Sequence, residues 1–170
     1  EPDFVIGGTM KDLNSSQVRV SIKKTGAGTV AIDGKCTYSK PTYIDDGVWL
    51  IRSNATTDGT KTISLRGGTL ALAGSTTNSF AALKLSQSSA IQLGENADLS
   101  FADTSAESWP DGVRLAITVP DLLNFAIRFG DSASALTPAQ ISRIRLNRMS
   151  VVLDESGYLR VRDGLKIIVR

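Results

Sequence analysis

The sequence contains no histidine and only one cysteine, Cys36. The first absence removes the side chain that most often serves as general base and as metal ligand. The second rules out an internal disulfide and a thiolate zinc site, leaving Cys36 as a small buried apolar residue. Aromatic residues make up only 6% of the chain. No apolar run approaches the roughly 20 residues that span a bilayer, so membrane insertion is not expected. There is no signal-peptide pattern, and the start at Glu1 reads as a processed or excised piece of a longer protein. Charge of either sign is also scarce in excess: 19 basic and 17 acidic residues leave a formal net +2. The closest basic groups, Lys23-Lys24 and Arg143-Arg145-Arg148, are too sparse to track a phosphate backbone, so no nucleic-acid partner is expected.

What is present is a chain of 170 residues, enough for one domain with a real core. Thr, Ser, Gly and Ala are abundant, which suits short strands and turns better than long helices. Gly26-Ala27-Gly28-Thr29-Val30-Ala31 fits G-x-G-x-x-G/A, the loop that cradles a dinucleotide pyrophosphate. That use needs a helix to start inside the loop, because its free N–H groups hold the phosphate. The following IDGKCTYSKPTYIDDG carries Gly34, Pro41 and Gly47 and has no 3.6-residue apolar period, so it cannot be that helix. No cofactor and no metal are expected.

The glycines fit a repeat instead. GTVAIDG from Gly28, GVWLIRS from Gly47 and GTLALAG from Gly68 align at spacings of 19 and 21 residues. Each has apolar residues two and four places on: Val30 and Ile32, Trp49 and Ile51, Leu70 and Leu72. A looser copy follows Gly94, with Leu99 and Phe101, and another is FVIGGTMKDL, where Asp12 spoils the second apolar position. One half-buried strand every 20 residues or so, with glycine at its entrance, is the pattern of stacked coils. The expected fold is an all-β parallel β-helix of about four to five coils, with Val30, Trp49 and Leu70 in one interior column and Ile32, Ile51 and Leu72 in the next. The alternative is an antiparallel β-sandwich, which also has short strands and regular turns.

Lys24-Thr-Gly-Ala-Gly-Thr-Val-Ala-Ile-Asp-Gly34, then Thr37-Tyr38, Pro41-Thr42 and Asp46-Gly47-Val48-Trp49-Leu50, resemble the autotransporter-associated β-strand repeat. One good copy spans about residues 22 to 52, with degenerate copies to about 103. Phe129 to Ile144 and Val152 to Leu159 resemble the end of such repeat regions. Lys35-Cys36 and Pro41 depart from the pattern. The resemblance implies a parallel β-helix in a large secreted or surface-exposed bacterial protein, and it brings no catalytic residues. No outer-membrane barrel is apparent, so export by an attached translocator is not implied.

The chain reads as a single domain, 1–170, with a repeat solenoid to about 118 and a closing region from about 119. Thr137, Pro138 and Gln140 give a helix start, as N-cap, N1 and the N3 member of a capping box, with Leu136 and Ile141 placed as a staple. SVVLD, YLRVR and LKIIV read as three closing strands, the last two joined by Asp163-Gly164.

A hydrolase or lyase would need two carboxylates, or a carboxylate and a base, facing one groove. In the repeat alignment the acids do not stack on one face; Asp45 instead pairs with Arg66 of the next coil, and Asp46 serves a turn. An enzyme is therefore not expected. Sugar sites use aromatic platforms with nearby acids, and Trp109, flanked by Glu107 and Asp111 in AESWPDG, is the candidate glycan contact. Two functions follow: a non-catalytic secreted or cell-surface segment, structural or adhesive, at the C-terminus of a larger protein, or a carbohydrate-binding accessory module of a glycan-degrading enzyme. The partners would be the rest of that protein and host or cell-surface glycans.

Overall fold

The structure is a computed structural model, and it describes residues 1–13, 19–53, 55–57 and 59–162. The chain winds through three faces, coil after coil. It starts with β1 (Phe4–Ile6) on the first face. The next coil supplies β2 (Ile22–Lys24), β3 (Thr29–Ile32) and β4 (Lys35–Cys36), and the one after it β5 (Thr42–Ile44), β6 (Val48–Ile51) and β7 (Thr56–Thr57). Then come β8 (Thr62–Arg66), β9 (Thr69–Leu72) and β10 (Thr77–Phe80), followed by β11 (Ala82–Gln87), β12 (Ser89–Leu93) and β13 (Asp98–Phe101). The last stretch holds β14 (Leu115–Thr118), β15 (Ala126–Phe129), α1 (Pro138–Arg143), β16 (Ile144–Leu146), β17 (Val151–Leu153) and β18 (Leu159–Val161).

Strands of one face pair across coils. The first sheet runs β1-β3-β6-β9-β12-β14-β16 and the second β2-β5-β8-β11. The third comprises β10-β13-β15, and β4-β7 extend that face toward the N-terminal end, where Thr57 Oγ1 donates to Asn78 Oδ1 at 3.1 Å. Every one of these pairings is parallel, and only β17-β18 form an antiparallel strand pair among the described residues. This is a parallel β-solenoid, and the antiparallel sandwich is excluded.

Alternation of apolar and polar residues fixes the register, because a one-residue slip would turn the core side chains outward. Val30 lies beside Trp49, Trp49 beside Leu70, and Leu70 beside Ile91; Ile32, Ile51, Leu72 and Leu93 form the parallel column. Leu70 and Ile91 are fully buried, each such side chain contributing about 1.5–3 kcal/mol. On the third face Phe80, Phe101 and Phe129 stack at centroid distances of 5.8 and 5.1 Å.

Two of the expected copies sit elsewhere. Gly94 follows β12 instead of leading into a first-face strand, and Leu99 and Phe101 belong to the third sheet. The first-face strand of that coil is SAIQL, entered through Ser88-Ser89: Ser89 Oγ accepts from Gly67 N–H and donates to Gln87 O, so a hydroxyl holds the corner that glycine holds elsewhere. At the N-terminus the strand precedes Gly7-Gly8; Phe4 and Ile6 pair with Val30 and Ile32, and Asp12 lies in a loop, accepting from Val20 and Ser39 N–H groups. The first sheet is consequently seven strands deep, and the parallel stack continues past residue 118 to Leu146.

The closing helix starts as its sequence dictates. Thr137 Oγ1 accepts from Gln140 N–H, Gln140 Oε1 accepts from Thr137 N–H, and Pro138 fills the first turn. It is only six residues long, because Ile144 turns extended and enters β16. β17 and β18 follow as the antiparallel closing pair; LKIIV and the Asp163-Gly164 turn lie outside the described residues.

Candidate functional site

The glycine-rich corner at Lys24–Gly28 encloses a cation of its own. Lys24 occupies an inward position in the column of Ile44 and Leu65, and only 5% of it is exposed. Its ammonium donates to the carbonyls of Thr25 and Asp46, both at 3.1 Å, and to that of Gly26. A buried charge survives only if its donors are satisfied, and the corner supplies three acceptors. Gly47, at φ 63°, lies directly over this cluster; a Cβ there would fall 2.5 Å from Lys24 Nζ and closer still to the Gly26 and Gly28 carbonyl oxygens. Its neighbour Lys23 points the other way, with 58% of its side chain exposed.

The carboxylates act as staples between coils. Asp45 receives Arg66 Nε at 2.7 Å and Lys23 Nζ at 3.0 Å, and the Arg66 guanidinium lies 4.3 Å above the Tyr43 ring centroid. The Lys23 hydrogen bond holds the Asp45 carboxyl below its ordinary range, against the opposing push of partial burial and with help from Arg66. Asp46 accepts from Gly47 N–H, Asp3 from Thr29 N–H, and Asp33 pairs with Arg52 at 3.8 Å. Among the described residues no group of three or more Asp, Glu or Cys is gathered as a metal site would require.

Trp109 stands where a further strand of the second sheet would lie. That sheet ends at β11, whose outer edge needs partners for the Leu83 backbone. Trp109 Nε1 donates to Leu83 O at 3.2 Å, while Leu83 N–H reaches Thr104 Oγ1 at 3.4 Å. The indole is 5% exposed and belongs to the core. The loop that carries it is tied down by α1: Gln140 Nε2 donates to Thr104 O at 3.0 Å and Glu107 O at 2.7 Å, and Arg143 donates to Trp109 O. Glu107 pairs with Lys84 at 3.1 Å and Asp111 with Arg143 at 2.5 Å. The three residues do cluster: Trp109 is packed over the sheet edge as a seal, Glu107 is half-buried beside it, and Asp111 stays fully exposed. Sequence alone shows the Trp-Pro turn; that the second sheet stops at β11 is what gives it an edge to cover.

Polar surface is gathered elsewhere, on the outside of the third sheet. Thr77, Asp98, Leu99, Ser100, Ala126, Arg128 and Tyr158 border one shallow hollow there, and Ser79, Ser100, Asp103, Arg128 and Asp131 border its neighbour. Asp103 accepts from the Ser105 hydroxyl and N–H, which hold its carboxyl below the usual range.

No family model, curated protein or solved structure matches the chain. The likeness to the autotransporter-associated repeat therefore rests on the quoted residues and on the stacked parallel sheets they form.

Proposed function

We propose that this chain is a non-catalytic structural segment, a stalk or spacer, that ends a longer β-solenoid on a bacterial cell surface or in the secreted medium. The supporting observation is the difference between its two ends. At the C-terminal end the last interior residues of the first sheet, Ile144 and Leu146, are fully buried. At the N-terminal end Phe4, which heads the Val30 column, is 61% exposed, and its neighbour Val5 is 45% exposed. An apolar column open at one end gains by receiving another coil, and among the described residues the outer edge of β1 has no strand partner. The rest of a larger protein would supply that coil. The contacts between coils support the same reading, since Lys24, Asp45 and Trp109 all act to hold coils together.

Antibodies against the chain should label intact, unpermeabilised producing cells or their medium. Labelling only after permeabilisation would contradict the localisation. Release of reducing or unsaturated sugars from a polysaccharide panel by the purified chain would contradict the non-catalytic reading.

A further inference from the structure

The trough outside the third sheet serves none of the structural roles described above. Register places Thr77 and Ser79 of β10, Asp98 and Ser100 of β13, and Ala126 and Arg128 of β15 on its floor. Two hollows, of about 300 and 400 Å³, share Ser100 and Arg128 and so run into one another. Tyr158 closes one end, bridged to Arg128 by backbone pairing; its ring lies 5.3 Å from the Arg160 guanidinium and 6.0 Å from that of Arg128. Asp103 and Asp131 stand at the other end. The outside of the first sheet differs: its row runs through Ala31, Leu50 and Ala71, and the hollow farther along it, bordered by Ala116, Thr118, Arg145, Asn147 and Arg148, carries cations but no carboxylate.

We propose that this trough binds a neutral oligosaccharide laid across the three strands. The small floor side chains let a sugar ring approach the sheet, and their hydroxyls can both donate and accept. Asp98, Asp103 and Asp131 are exposed acceptors for sugar hydroxyls. Arg128 is an exposed donor fork that, among the described residues, contacts only the Tyr158 ring through its guanidinium. Three carboxylates against the lining Arg128 repel an acidic glycan, which selects the neutral class. Three strands at about 4.8 Å spacing span about 10 Å, matching a short run of sugar units. The site is distinct from the Trp109 seal, and it does not depend on the stalk reading: loss of binding would leave the solenoid account standing, and an intracellular location would leave the binding result standing.

The test is affinity electrophoresis of the purified chain in gels containing a neutral β-glucan, xylan or mannan, beside a polygalacturonate gel. Retardation in at least one neutral gel is expected, weakened at least tenfold by Ser100→Trp, which fills the shared floor, and by Arg128→Ala, both at unchanged melting temperature. Thr118→Trp, on the exposed outside of the first sheet, should bind as the parent does. If a trough variant melts early, saturation-transfer NMR on the parent with the soluble oligosaccharide must still show ring contacts to Tyr158. Absence of retardation in every neutral gel, retardation only by polygalacturonate, or binding untouched by both trough variants would overturn the proposal.

Discussion

Replacing Trp109 by alanine should loosen the seam between β11 and α1. The side chain is 5% exposed, and its N–H is the partner of the Leu83 carbonyl on the last strand of the second sheet. Emptying a buried Trp site costs about 3–5 kcal/mol. For a chain of this length each kcal/mol lowers the melting temperature by about 2–4 °C, so the fall should be about 6–20 °C. Trp109→Phe keeps most of the volume and loses only the N–H, which strands the Leu83 carbonyl at a cost of about 1–3 kcal/mol. The two variants should therefore rank below the parent in that order, alanine lowest. Circular dichroism melts in parallel with urea titrations measure both, and Trp49 fluorescence reports separately on the coils nearer the N-terminus. An alanine variant that melts with the parent would refute the seal and return Trp109 to the surface.

Lys24→Met should cost about 1–3 kcal/mol, because it leaves part-buried carbonyl acceptors without their donor, whereas Lys23→Met should cost under about 1 kcal/mol, its side chain being 58% exposed; urea midpoints compare the two. Asp45 has a folded-state pKa lowered by Lys23 and Arg66, so its contribution is present above the unfolded value of about 3.9 and is lost as pH falls through the folded value. Asp45→Asn should accordingly melt below the parent at neutral pH, with the gap closing below about pH 4 in a melting-versus-pH series. Cys36 is 3% exposed in the column between Met10 and Thr57, so a thiol reagent should fail to label it until denaturant unfolds the chain.

The sequence was readable where one residue type did one job. Glycine at the entrances of β3, β6 and β9 marked three strands and their shared register, and Thr137-Pro138-x-Gln140 marked the helix. It misled where another residue took over the corner: Ser89, at the start of β12, stands where glycine stands in the other coils, and an alignment keyed on glycine then shifted that coil onto Gly94. The Phe80, Phe101 and Phe129 column went unread, because its intervals of 21 and 28 residues are made uneven by loops on either side of β14. Lys24 could not be read as buried from its neighbours, since its acceptors are carbonyls, which every residue carries. The sites fared least well. Trp109 needed knowledge of where the second sheet ends, and the trough needed three strands about 20 or more residues apart to be laid side by side.

Parallel stacking in the assigned register is the central claim, and disulfide trapping tests it directly. Val48 faces Thr69 and Leu50 faces Ala71 on neighbouring strands of the first sheet. Parallel neighbours about 4.8 Å apart fall within the 4.4–6.8 Å Cα range a disulfide accepts. Cysteine pairs at 48/69 and, separately, at 50/71 should both cross-link on mild oxidation, whereas a pair at 48/90, two strands apart, should not. Trapping at 48/69 without trapping at 50/71, together with trapping at 50/67, would mean antiparallel strands and would contradict the solenoid.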